Sequence, residues 1–189
     1  MSGLLIAAPL RLEAFMIARG KPRARVQRTG VGPRRARAAV SALLDDPATA
    51  LLVLGFGGGL LQDSEVGEVV VADEVLSPEG KRVQCADPLA LGDVLESHGL
   101  KVRRGVVCSV ARPALGKTRV RLREGGAIAV DMESAWLAAA ARGRPFAVVR
   151  VLSDTPEREL TRPLLTIAGV ARASVTLRRV AAALHEWVP

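Results

Sequence analysis

Two acidic clusters carry the chemistry this chain offers. Asp131 and Glu133 follow one short apolar run, and Ser153 and Asp154 follow another. A further carboxylate, Glu13, lies just past the first apolar run, Gly3–Ala8. Carboxylates gathered at one place can move protons or stabilise a positive charge that develops during bond breaking. In open α/β sheets ligands bind beyond the carboxyl ends of the strands, and both acidic clusters read as such ends. Glu13 on its own reads first as a helix-start carboxylate favoured by the helix dipole.

Positioning these groups requires a strand–helix–strand unit. Ala127–Val130 reads as a strand and Met132–Arg142 as a helix rich in Ala, Leu and Met, with Asp131 as its N-cap and Gly143 at its exit. Phe146–Leu152 is apolar and β-branched, as a buried strand would be. Upstream, Gly3–Ala8 and Arg23–Thr29 read as strands, with a helix from Glu13 to Arg19 between them. Gly32 can cap a second helix, with Pro33 at its first position and Ala36–Leu44 continuing it. The glycines Gly30 and Gly32 before that helix could present N–H groups to an anion such as phosphate.

Leu51–Leu54 is a fully apolar strand, and Gly55-Phe56-Gly57-Gly58-Gly59 follows it directly. So many glycines predict a loop of positive φ that lets the backbone approach a ligand. Val66–Val75 reads as a strand, Ser77–Ala86 as a surface loop, Asp87–Gly99 as a helix and Arg104–Val110 as a strand. Ala111–Gly126 reads as a basic, partly mobile connection, and Thr155–Pro163 as a charged loop able to cover the site. Ala168–Trp187 is an amphipathic helix with Val170, Leu177, Val180 and Leu184 at helical spacing and Arg172, Arg178 and Arg179 decorating it. Packing on the sheet is its expected role, and docking on a membrane surface the alternative. The alternation of elements predicts a single α/β domain over 1–189 with a mixed, mostly buried sheet.

Composition narrows the partners. Hydrophobic residues make up 49% of the chain, which argues for a packed core and against disorder. Aromatic content is 3% with no Tyr, which argues against stacking platforms for nucleic acid despite a net charge of +8. The two cysteines are far apart, with no zinc-type spacing, and suit a reducing cytoplasm. The N-terminal apolar run is short and lacks a basic start, so no secretory signal is expected. No G-x-S-x-G elbow or Walker loop is present. What remains is a set of carboxylates around a Gly-rich cradle.

Four segments then resemble the purine nucleoside phosphorylase and methylthioadenosine/adenosylhomocysteine nucleosidase superfamily. Thr29-Gly30-Val31-Gly32 resembles its SGIG-type turn, and Gly55–Val75 its GSAGGL…GDIVVSDE segment. Val130–Ser134 resembles VEMEA, and Phe146–Asp154 resembles PFVVVRAISD. The resemblance implies a central mixed β-sheet, in part a distorted barrel, flanked by helices. It implies that Asp154 protonates the purine at N7, that Ser153 orients it, and that Glu133 holds the ribose hydroxyls. Met132 would pack on the sugar and Glu13 would activate water. Arg150 would support the carboxylates, and Phe56, Gly57, Gly58 and Asp131 would line the substrate site. Gly30 and Gly32 would bind phosphate if the chain were a phosphorylase. The implied reaction has an oxocarbenium-like transition state and needs no metal or organic cofactor, with phosphate as an alternative co-substrate to water.

Departures from the pattern suggest a branch. Phe56 replaces a small polar residue, Asp131 replaces a Glu, and the segment after Gly105 lacks the aromatic that stacks on adenine. These features resemble the hopanoid-associated branch, which releases adenine from adenosylhopane; futalosine hydrolases are a second branch of similar size. The expectation is a cytoplasmic, homodimeric enzyme acting on a 5′-substituted adenosine, with peripheral membrane contact. A non-catalytic module for nucleosides or nucleic acid is the alternative of a different class.

Overall fold

Strands buried on both faces read as unbroken apolar runs, and three such runs form the centre of this molecule. The structure is a computed structural model and describes residues 3–157 and 163–187. In chain order the elements are β1 (Leu4–Ala8), α1 (Arg11–Arg19), β2 (Ala24–Arg28), α2 (Pro33–Leu44), β3 (Ala50–Gly59), β4 (Val69–Leu76) and β5 (Arg82–Gln84). Then follow α3 (Pro88–Ser97), β6 (Val102–Ser109), α4 (Lys117–Glu124), β7 (Ala127–Asp131), α5 (Ser134–Leu137), β8 (Phe146–Asp154) and α6 (Pro163–Ala183).

The sheet is mixed and closes on itself in part. β3 runs parallel to β8, β8 antiparallel to β4, β4 parallel to β6, β6 parallel to β7, and β7 returns antiparallel to β3. This circuit is the expected distorted barrel. β1 and β2 extend it beyond β3, and β5 extends it beyond β4. The period-2 pleat sorts side chains to two cores. Leu52, Leu54, Val149 and Val151 face one core with Ile17 of α1 and Leu177 and Val180 of α6. Leu51, Val53, Val148 and Leu152 face the other with Ala36 and Leu43 of α2 and Leu137 of α5. The C-terminal helix thus packs on the sheet, as its apolar spacing predicts, and Leu184 and Trp187 continue that contact past its end.

Four expectations require correction. The Gly-rich stretch is not a loop: Gly55, Gly57, Gly58 and Gly59 lie within β3, and none has positive φ. The helix expected from Met132 to Arg142 shrinks to α5 and a 3-10 turn at Ala138–Ala140. Arg150 behind it draws Asp131 and Ser134 inward, so Met132 and Glu133 stay outside the helix and free to line a site. The basic connection contains α4, and the surface loop at 77–86 contains β5. The expected covering loop falls largely on residues 158–162, outside the described residues.

α6 meets β8 through a glycine. A Cβ at Gly169 would stand 2.3 Å from the carbonyl oxygen of Ser153, a backbone atom that cannot swing aside. Gly169→Ala is therefore expected to destabilise the fold by about 1–3 kcal/mol, as overpacking does, although alanine is the better helix former. The urea midpoint of the purified variant measures this; an unchanged or raised midpoint would contradict so close a seat for α6.

Candidate active site

The carboxyl ends of β1, β3, β7 and β8 converge on one cavity. Glu13, Phe56, Gly57, Gly58, Asp131, Met132, Glu133, Ser153 and Asp154 all line it. Nine of the residues expected from sequence therefore meet in one place. The rest of the wall is mostly apolar and includes Leu10, Val31, Val110 and Pro113, and Arg119 closes it at the Asp154 side.

Glu13 serves its helix and the site together. Its Oε2 accepts the backbone N–H of Leu10 at 2.5 Å, and its Oε1 accepts that of Phe56 at 2.6 Å. It is 2% exposed, and burial pushes its carboxyl above the ordinary range against the opposing pull of the Phe56 N–H and Arg150. The glycines of β3 explain this closeness. A Cβ at Gly55 would stand 2.6 Å from Glu13 Oε1 and 3.0 Å from Arg150 Nη1. One at Gly58 would stand 2.9 Å from Arg119 Nη2 and 3.3 Å from Asp154 Oδ1. The glycines admit charged protein side chains where a ligand approach with positive φ was expected.

Arg150 is fully buried and does not line the cavity, so it does not touch substrate as a wall residue would. Its Nε donates to Asp131 Oδ2 at 2.8 Å and its Nη2 to Ser134 Oγ at 2.9 Å, with Glu133 Oε2 3.7 Å from Nη2. Asp131 Oδ1 accepts from Ser109 Oγ at 2.6 Å and from the backbone N–H of Glu133 and Ser134. It thus performs the capping expected of it, from the last position of a strand.

Glu133 Oε1 accepts the backbone N–H of Gly32 at 2.8 Å. Burial raises its carboxyl to about 7, Arg150 opposes this, and Asp131 adds to it. Gly30 donates its N–H to Pro9 O at 3.0 Å. Both turn glycines have positive φ, as an anion cradle would, but protein acceptors engage both N–H groups.

Arg119 is the site residue that sequence reasoning missed. It sits on α4, is 4% exposed, and its Nη2 donates to Asp154 Oδ2. Its neighbours are Lys117, Arg121 and Arg123 in a basic stretch without apolar periodicity, so nothing marked it as the one turned inward. Sequence reasoning held that Arg150 would oppose protonation of Asp154 if it lay close; the guanidinium that does lie against Asp154 is Arg119.

A partial barrel of mixed strands with an acidic pocket at its strand ends defines a nucleoside phosphorylase-like α/β fold. Residues 10–186 match the phosphorylase superfamily, and the chain belongs to it. The fold is similar to that of the Neisseria meningitidis 5′-methylthioadenosine/S-adenosylhomocysteine nucleosidase bound to methylthio-immucillin-A, with TM-score 0.82 and 17% identity over 99% of this chain and 100% of that one. It is similar to futalosine hydrolase of Helicobacter pylori, with TM-score 0.81 and 18% identity over 96% of each chain. It is also similar to the S-adenosylhomocysteine nucleosidase of Streptococcus pyogenes, with TM-score 0.77 and 19% identity over 95% of each. No curated protein sequence matches it.

The raised carboxyl of Glu133 has a consequence for stability. The folded chain holds a proton there up to a pH of about 7, whereas the unfolded chain releases it near 4.5. This contribution is complete below 4.5 and is lost as the pH rises through about 7. Glu133→Gln cannot titrate but keeps an acceptor for Gly32. The variant should therefore gain stability relative to the wild type between pH 5 and 8, by a few kcal/mol at most. Urea unfolding of both proteins at the two pH values measures it; a constant difference would contradict a buried, titrating Glu133.

Proposed function

We propose that this chain hydrolyses the N-glycosidic bond of a purine nucleoside carrying an apolar 5′ substituent. The observation that carries the reading is that Glu13, Glu133 and Asp154, from three separate segments, bound one largely apolar cavity. Burying three carboxylates costs free energy that a binding module for neutral nucleosides has no need to meet. Bond cleavage repays it, because the sugar becomes an oxocarbenium-like cation.

Each residue has a part in that event. Asp154 faces N7 of the base, with Ser153 Oγ 3.3 Å from Asp154 Oδ1 helping to orient it. Glu133 takes the ribose hydroxyls, and Met132 packs on the sugar. Glu13 accepts the proton of the attacking water; its raised affinity for a proton suits a base working near neutral pH. Arg150 keeps Asp131 and Glu133 in place from behind the wall.

Two observations refine the reading. The N–H groups of Gly30 and Gly32 are engaged within the protein, which favours water over phosphate as the nucleophile. Leu10 and Val31 line the cavity yet remain 40% and 36% exposed, and Leu12 and Phe15 stand exposed on α1. This apolar rim suits a large hydrocarbon beyond the 5′ carbon, and adenosylhopane is the leading substrate. A homodimer with the site near its interface, and transient contact with a membrane that holds such a lipid, belong to the same proposal. Among the described residues no helix is long and apolar enough to cross a membrane.

Incubation of the purified protein with 5′-substituted adenosines, with and without phosphate, tests the proposal. Free adenine and free sugar are expected at a rate that phosphate does not change. Glu13→Gln should lose about 10²–10⁴-fold, the usual contribution of a positioned base. A ribose 1-phosphate product, or a rate proportional to phosphate, would overturn the hydrolase reading in favour of a phosphorylase.

A further inference from the structure

The Arg119–Asp154 pair constrains how the leaving base gets its proton. Arg119 is held at three points: Nε donates to Ala114 O at 2.9 Å, Nη1 to Gly59 O at 2.8 Å, and Nη2 to Asp154 Oδ2. Both side chains of the pair are 4% exposed. The missing Cβ of Gly58 is what lets the guanidinium reach the carboxylate, since a methyl there would crowd both. A buried guanidinium in contact with a carboxylate favours the ionised form of that carboxylate. Protonating Asp154 would leave Arg119 buried beside a neutral partner, a costly arrangement. Oδ1 lies on the Ser153 side of the carboxylate, away from the clamp.

We propose that Arg119 is a positioning residue for base release: it clamps Asp154 as a carboxylate, so that N7 takes its proton from solvent and Asp154 Oδ1 holds that proton in place while the bond to the sugar breaks. The inference rests on the reading that Asp154 faces N7. The step balances. N7 gains one proton, the electron pair of the C1′–N9 bond passes to the base, and the base leaves neutral. Water adds to C1′ and gives its proton to Glu13, which returns it to solvent.

Other charged groups surround the pair. Arg123 lies beside Arg119 on α4, and Glu157 follows β8. Glu13, Asp131 and Glu133 stand across the cavity. Arg150, upstream on β8, is bound to Asp131, and Arg172 of α6 lies over Gly67. Their titrations act on any substrate of this site, whereas the clamp acts only on a leaving group that needs a proton.

That difference supplies the test. The pH dependence of kcat/KM is measured for a 5′-substituted adenosine and for p-nitrophenyl β-D-ribofuranoside, whose leaving group departs without protonation. Wild type, Arg119→Met and Arg119→Lys are compared. With the adenosine, the decline of the wild type toward high pH should begin in the acidic range. In Arg119→Met it should begin about 1–3 pH units higher, the usual effect of removing an adjacent opposite charge, and Arg119→Lys should stay near the wild type. With the nitrophenyl riboside no such shift is expected. An unshifted decline in Arg119→Met, or an equal shift with both substrates, overturns the proposal. Loss of nitrophenyl cleavage in both variants assigns Arg119 to the fold alone and overturns it too. A wild type that cleaves the nitrophenyl riboside but no purine nucleoside removes the N7 reading beneath this inference, and one that cleaves neither removes the proposed function itself.

Discussion

A guanidinium with no access to water governs the architecture of this site. Arg150 lies in the middle of β8, where an apolar residue would continue the strand pattern, and its charge must be met inside the protein. Burial alone would lower its hold on a proton; Asp131, Glu133 and Glu13 more than reverse this. The requirement reaches outward. Asp131 must sit at the end of β7, Ser134 must open α5, and Glu133 must stay out of the helix to face the cavity. Removing one partner of such an assembly leaves an uncompensated buried charge, typically a cost of about 3–5 kcal/mol.

β3 is the complement of that charge. A strand with side chains at positions 55, 57 and 58 would hold Glu13, Arg150, Arg119 and Asp154 apart. The usual penalty of glycine in a strand, lost entropy and no packing, is here offset by ion pairs and hydrogen bonds that no other residue would allow. The same strand hydrogen-bonds to β1, β7 and β8, so the glycines hold the site at the point where the sheet turns into a barrel.

Much of this was legible in the chain. The apolar runs at Leu51–Leu54 and Phe146–Leu152 marked central strands, and the polar residues after them marked the site. Asp131, Glu133, Ser153 and Asp154 fell where the strand ends converge because that rule depends only on sheet topology. The glycines were misread because composition shows that a Cβ is absent, without showing what takes its place. The length of α5 was misread because helix propensity in Met132–Arg142 is weak beside the pull of a buried Arg150 on Asp131 and Ser134. Arg119 was illegible for another reason. One arginine among four cations within Lys117–Glu124 turns inward, and only the course of the chain from β6 to β7 decides which.

The central claim is that one cavity holds the base at Asp154 and the sugar at Glu133 with water beside Glu13. A crystal structure of Asp154→Asn with an intact 5′-substituted adenosine tests it most directly. The account predicts N7 within hydrogen-bond distance of residue 154, the ribose hydroxyls on Glu133, a water between Glu13 and the anomeric carbon, and the 5′ substituent leaving past Leu10 and Val31. A nucleoside bound elsewhere, or one whose sugar turns away from Glu133, would contradict it.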